Sequence, residues 1–314
     1  MKKKFECVVT GGAGFIGSCL AKRLVDEGHR VVVLDNLCTG NMANVPNGAE
    51  FIYFDIANPA GYYKLSKLKP DVMFHIAGQS SGEISFENPF YDLDVNTKGT
   101  VLLLDHCHKN GIKRFFYTSS MSVYGDRRKK VDESETPEPI SFYGTTKLAS
   151  EKYISIYSKN GIDFTIFRPF NVYGPLQNLT NMKQGMVSIF MAFLLKGETV
   201  HVKGSLERYR DFVYIDDVVE CFMRCLESKN AVNKIYNLAT GKKTTVGKLL
   251  ELMFAAAGKP DYPVKVAGNT PGDTFGIFGD NSKVMRETGW KPETVLNKGL
   301  KNMYDHYANM KKRS

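Results

Sequence analysis

Short apolar runs alternate with longer amphipathic stretches through the first half of the chain. The runs at Cys7-Val9, Val31-Leu34, Phe51-Phe54, Val72-His75, Arg114-Thr118 and Phe164-Phe167 are rich in β-branched and aromatic residues and read as strands. Between several of them lie stretches of helical period, Ile16 to Glu27, Pro89 to Asn110 and Tyr143 to Asn160. Strands that are apolar on both faces need covering on both faces. Their alternation with helices therefore predicts an α/β fold, a parallel sheet between two helical layers. Asn110-Gly111 and Asn160-Gly161 end helices with residues that tolerate left-handed geometry. Beyond about residue 170 the rhythm loosens. Pro and Gly become denser, and helices near Asp216–Ser228, Val246–Ala257 and Leu296–Asn309 are less regularly spaced. Residues 1–170 thus read as the sheet domain, with later segments returning to it. Residues 171–314 read mainly as a smaller lobe over the sheet's carboxyl edge.

The 314 residues, 43% hydrophobic and 24% charged, fit an ordinary globular protein. No apolar run reaches the roughly 18 residues of a membrane span; Ser188 to Leu195 comes nearest. The basic start Met1-Lys2-Lys3-Lys4 runs straight into a strand, which argues against a cleaved leader and for a cytoplasmic protein. The net charge of +9 gathers partly at the two ends, and no basic-aromatic stripe suggests nucleic-acid binding. The six cysteines lack zinc-ligand spacing and read as free buried thiols, so no metal is expected.

Two motifs carry chemistry. Thr10-Gly11-Gly12-Ala13-Gly14-Phe15-Ile16-Gly17 follows the first strand and opens a helix. Glycines there let the chain turn tightly and let backbone N–H groups approach a pyrophosphate. Asp35 ends the second strand, where a carboxylate binds ribose hydroxyls and repels a 2′-phosphate; Asn36 to Thr39 contains no Arg or Lys. NAD is therefore expected rather than NADP. Asp55 is placed either to meet the adenine amino group or to cap the helix before Asn58-Pro59. Ala77-Gly78 leaves room for the cofactor, whereas His75 reads as a core histidine.

The second motif is Tyr143-Gly144-Thr145-Thr146-Lys147. Tyr143 and Lys147, four apart, share a helix face. An ammonium beside a phenol favours the phenolate and lowers its pKa. Thr118, Ser119, Ser120 and Ser122, after the fifth strand, offer hydroxyls to a substrate oxygen or satisfy local backbone groups.

With these motifs the chain resembles the nucleotide-sugar epimerase and dehydratase family of extended short-chain dehydrogenases/reductases. The resemblance extends to Asp35-Asn36-Leu37, Ser120-Met121-Ser122-Val123-Tyr124-Gly125, Arg168 to Pro175 and Arg210 to Asp217. It implies a Rossmann-type doubly wound sheet and a nucleotide-sugar-binding lobe. It implies Tyr143 as base, Lys147 as its partner and Ser120 as the substrate hydroxyl. It places NAD against Gly11, Gly14, Phe15, Ile16, Gly17, Asp35, Asn36, Asp55, Ile56, Ala77, Gly78, Gln79, Asn96, Thr118, Tyr143, Lys147 and Phe170. It places the nucleotide sugar against Ser81, Ser120, Asn171 and Arg210. The other roles open to Asn171 and Arg210 are a loop-stabilising amide and a surface ion pair with Asp211 or Asp216. The polar loop Gln79 to Glu83 either tunes sugar choice or caps a helix.

Dehydratases of this kind carry carboxyl groups where Met121 and Ser122 stand, which points away from dehydration. A 4-epimerase is the expectation, a 4-ketosugar reductase the alternative, and a silent NAD-binding regulator the remote case. Relatives usually have Arg shortly before Gly272-Asp273; here Thr270 stands near that place. The resemblance also implies a homodimer through Pro89–Asn110 and Tyr143–Asn160, with Leu93, Leu102, Leu103 and Tyr153 as candidate contacts.

Overall fold

The structure is a computed structural model that describes residues 3–269, 272 and 274–313. Seven parallel strands form the central sheet: β1 (Glu6–Thr10), β2 (Arg30–Asp35), β3 (Glu50–Tyr53), β4 (Val72–His75), β5 (Arg114–Thr118), β6 (Asp163–Pro169) and β7 (Lys234–Leu238). Their order is β7-β6-β5-β4-β1-β2-β3. Six were legible from apolar runs. The seventh comes from the C-terminal half and pairs Ile235 with Ile166 and Tyr236 with Phe167.

Side chains alternate across each strand, which decides the two cores. Val9, Val33, Phe74, Phe116 and Phe167 face one layer. They meet Leu20 and Leu24 of α1 (Phe15–Asp26) and, C-terminal to it in sequence, Phe222 of the helix Ile215–Glu227. Val8, Val32, Met73, Phe115 and Tyr117 face the other layer. There they meet Leu103 and Leu104 of α2 (Gly99–Lys109) and Ile154 of α3 (Phe142–Ser158).

The helix expected over Pro89–Asn110 is built of three parts. An α-turn at Pro89–Asp92 passes into a π-turn at Leu93–Lys98, and α2 follows. The wider turn turns Asn96 inward. Its carbonyl accepts from Thr100 Oγ1 (2.6 Å) and from Ser150 Oγ of α3 (2.8 Å).

Helix α4 (Met186–Lys196), not anticipated beyond its apolar run, lies in the C-terminal half with α5 (Ile215–Glu227), α6 (Val246–Ala256) and α7 (Leu296–Arg313). Short strand pairs accompany them, Asn171–Tyr173 with Phe212–Tyr214 and Val200–Val202 with Val264–Val266. All six cysteines are free, and four are buried; Cys38 is exposed and Cys19 half-buried, against the expectation of uniform burial. Among the described residues, no helix is long and apolar enough to cross a membrane.

Candidate active site

Strand order reverses between β1 and β4. The crevice at their carboxyl ends is where open α/β sheets bind ligands. A cleft of about 780 Å³ opens there. The glycine loop forms one wall. Gly11 sits at φ +70°, and a Cβ on it would lie 2.7 Å from the Ala77 nitrogen. A Cβ on Gly17 would collide with the Gly11 carbonyl oxygen. No other residue lets loop, helix and β4 approach so closely.

Asp35 reaches back to this loop. Its carboxylate accepts from Ala13 N (3.0 Å) and Leu37 N (2.8 Å) and still lines the cleft. Asp55 also lines it, holding Ala57 N at 2.9 Å. The cap of the following 3₁₀ helix is Asn58, so the capping alternative for Asp55 falls. Gly14, Phe15, Ile16, Asn36, Ile56, Ala77, Gly78, Thr118 and Phe170 join the same wall. Thr118 Oγ1 is buried without a hydrogen-bond partner, a polar atom still to be satisfied. Close-packed glycines, a ribose-facing carboxylate and an orphaned hydroxyl fit NAD.

Deeper in the cleft, Ser141 caps α3 by accepting from Gly144 N (3.1 Å). Tyr143 and Lys147 follow on one face of this helix, and both line the cleft. Lys147 donates to the Thr118 carbonyl at 2.9 Å and lies over the Tyr117 ring, 4.9 Å from its centroid. Burial pulls the Lys147 ammonium down to about 8, opposed by Asp92 and Glu151. Burial pushes the Tyr143 phenol up to about 12; a hydrogen bond with Ser120 acts against this, and Asp92 adds to it. The net lowering that the sequence led us to expect from Lys147 is thus not found: desolvation sets the direction of the shift.

The neighbouring hydroxyls divide their work. Ser120 Oγ accepts from Ser122 N (3.1 Å) and donates to Ser122 Oγ (3.1 Å). Ser119 instead donates to Glu151 at 2.5 Å, inside a buried ion pair of Glu151 with Arg168. His75 is a core residue as expected, held between Thr10 and Thr100, and burial lowers its pKa to about 3.

Three expected contacts do not line the cleft. Gln79 turns its amide to Ser81 and Asp92. Ser81 caps the helix Gly82–Glu87 and donates to the Lys183 carbonyl, while Ser80, Gly82 and Glu83 of the same loop line the cleft. Asn96 donates to Gln79 O and Asp92, while its Oδ1 has no partner and faces the place a Gly78 Cβ would take.

Asn171 and Arg210 do line the cleft. The Asn171 amide donates to Asp211 O (3.1 Å) and Met121 Sδ (3.6 Å). Arg210 is buried, not a surface pair; it donates to the carbonyls of Tyr209 and Thr274, both at 2.7 Å. The Asp211 carboxylate is taken by Thr240, Gly241 and Gly279. Thr270 lies outside the described residues. Lys203 and Arg208, which the sequence offers as substitutes for the Arg missing near Thr270, line the cleft. The far wall from α4, including Phe190 and Phe193, with Lys183 beside it, escaped the sequence reading. Its only signal was the apolar run of α4.

Comparison with known proteins matches residues 7–239 to the NAD dependent epimerase/dehydratase family. The chain belongs to this family. A putative UDP-glucose 4-epimerase of Methanocaldococcus jannaschii is 36% identical over 310 residues, spanning 96% of this chain and 98% of its own. The crystal structure of the Thermotoga maritima UDP-glucose 4-epimerase with UDP-glucose is similar with a TM-score of 0.92. It shares 35% identity and covers 97% of this chain and 99% of that one. The Thermus thermophilus UDP-glucose 4-epimerase complex with NAD gives 0.90 at 34% identity, covering 96% and 98%. Like this family, the chain is an NAD-dependent protein.

Proposed function

We propose that the chain is an NAD-dependent nucleotide-sugar 4-epimerase acting on a UDP-hexose or UDP-hexuronate. The observation that carries this reading is the convergence of Ser120, Tyr143 and Lys147 in the same cleft as the glycine cradle. Ser120 and Tyr143 hold the sugar O4 hydroxyl, and Tyr143 takes its proton. Bound NAD supplies a reversible acceptor for the C4 hydride and a positive ring that favours the phenolate. Lys147 balances the phenolate charge. The 4-keto sugar turns about its diphosphate link, and Tyr143 returns the proton to O4. No carboxyl group stands at Met121 or Ser122 to eliminate water, which supports epimerisation over dehydration. Asn171 and Arg210 hold the nucleotide diphosphate in this reading; a guanidinium suits phosphate.

The free cysteines fit a cytoplasmic enzyme. A homodimer is proposed through α3 and the Pro89–Lys98 segment. Leu93 and Tyr153 are 48% and 41% exposed there, joined by Phe90 (79%) and Ile156 (55%). Leu103 belongs to the core and drops out of that interface.

The test is proton NMR of the purified protein, without added cofactor, against UDP-, GDP- and dTDP-sugars. A C4 epimer appears with one of them, and Tyr143→Phe keeps NAD while losing more than about nine-tenths of turnover. Conversion only after NADH or NADPH is supplied with a 4-keto sugar would replace this reading with a reductase.

A further inference from the structure

Close to Tyr143 and Lys147, but not lining the cleft, a carboxylate is fully buried. Asp92 closes the α-turn Pro89–Asp92, where the helix widens into the π-turn. One carboxylate oxygen accepts from Thr146 Oγ1 at 2.5 Å. The other accepts from Gln79 Nε2 at 2.6 Å and Asn96 Nδ2 at 3.1 Å. All three donors are neutral. Burying an unpaired carboxylate is expensive, and burial raises its pKa, against the pull of these hydrogen bonds and Lys147.

Two features link this group to the chemistry. Thr146 lies between Tyr143 and Lys147, so Asp92 grips the helical turn that carries both. Lys147, buried, also needs a counter-charge. The groups that act on it are Asp92 from the helix before the π-turn, Glu151 from its own helix, Tyr117 from β5 and His75 from β4. His75 is neutral, and the Tyr117 phenol is held protonated by burial. Glu151 is already paired with Arg168 at 2.6 Å. Asp92 is then the carboxylate left to balance Lys147.

We propose that Asp92 is a positioning residue for the catalytic pair, fixing the Tyr143–Lys147 turn through Thr146 and serving as the buried counter-charge of Lys147. The proposal rests on the epimerase reading for its role in turnover, but the charge coupling can be read without turnover.

Asp92→Asn keeps the shape and removes the charge. Loss of a nearby negative charge favours the unprotonated form of both Tyr143 and Lys147. In the NAD-bound protein, the phenolate absorbance near 295 nm, taken as a difference against Tyr143→Phe, therefore titrates at lower pH. A fall of half a unit or more is expected. Both limbs of the kcat–pH profile move down with it. Thr146→Val removes the clamp and keeps the charge; it lowers kcat with the limbs in place. An unmoved phenolate midpoint in Asp92→Asn overturns the proposal, as does an equal shift in Thr146→Val. If Asp92→Asn fails to fold, Asp92→Glu, which keeps the charge and displaces it, takes its place: a moved phenolate midpoint supports the proposal and an unmoved one overturns it. If the wild type converts no nucleotide sugar, the epimerase reading fails while the phenolate titration still judges Asp92.

Discussion

Gly144→Ala should impair catalysis far more than it impairs folding. Gly144 stands in the first turn of α3, directly after Tyr143 and three residues beyond the cap Ser141. A methyl group there would lie 2.5 Å from the Ser122 carbonyl oxygen and 2.9 Å from Pro139 Cβ. Carbon–oxygen contacts settle near about 3.3 Å, so relief requires a shift of roughly 0.8 Å. The obstacle is backbone and a proline ring, and neither can swing aside. Alanine gains up to about 1 kcal/mol in helix propensity over glycine. Overpacking costs about 1–3 kcal/mol. The clash wins by a small margin, and net destabilisation is about 1 kcal/mol. Catalysis feels the displacement itself, because α3 moves away from the turn that carries Ser120. A misplacement of about 1 Å costs on the order of 100-fold in rate. Urea unfolding gives the stability, and steady-state epimerisation gives kcat. A variant more stable than wild type with unchanged kcat would refute the reasoning: the close approach of α3 to the Ser120–Tyr124 turn would then be irrelevant.

His75 sets a pH dependence of stability. Folded His75 stays neutral down to about 3, while an unfolded imidazole takes a proton near 6.5. The unfolded chain therefore binds more protons between these values, and stability falls as pH drops through that window. Between pH 7 and 5 the wild type should lose about 2 kcal/mol more than His75→Gln by denaturant titration. Equal losses would show that the imidazole protonates in place. For the proposed dimer, Ile156→Lys with Phe90→Glu should halve the mass measured by light scattering at micromolar concentration; a mass already that of one chain in the wild type removes the interface.

The alternation of apolar strands with helices was enough to determine six strands of the sheet, because a strand covered on both faces must read as a continuous apolar run. The glycine spacing and Asp35 were likewise legible: a tight turn and a carboxylate at a strand end are local requirements. Tyr143 and Lys147 were legible together because helical geometry places i and i+4 on one face. The seventh strand was not, since Lys234–Leu238 takes its place only by pairing with β6, a partner about 70 residues away. The same limit applies to the hydroxyls after β5. Ser119 and Ser120 both line the cleft, but the Ser119 hydroxyl is drawn to Glu151, whose place is set by the packing of α3 on β5 and β6. The protonation of the catalytic pair also belongs to tertiary structure. A tyrosine–lysine motif implies a lowered phenol pKa, but burial of the Tyr143 side chain pushes it the other way. Desolvation depends on what surrounds a group in three dimensions, and no local pattern encodes it.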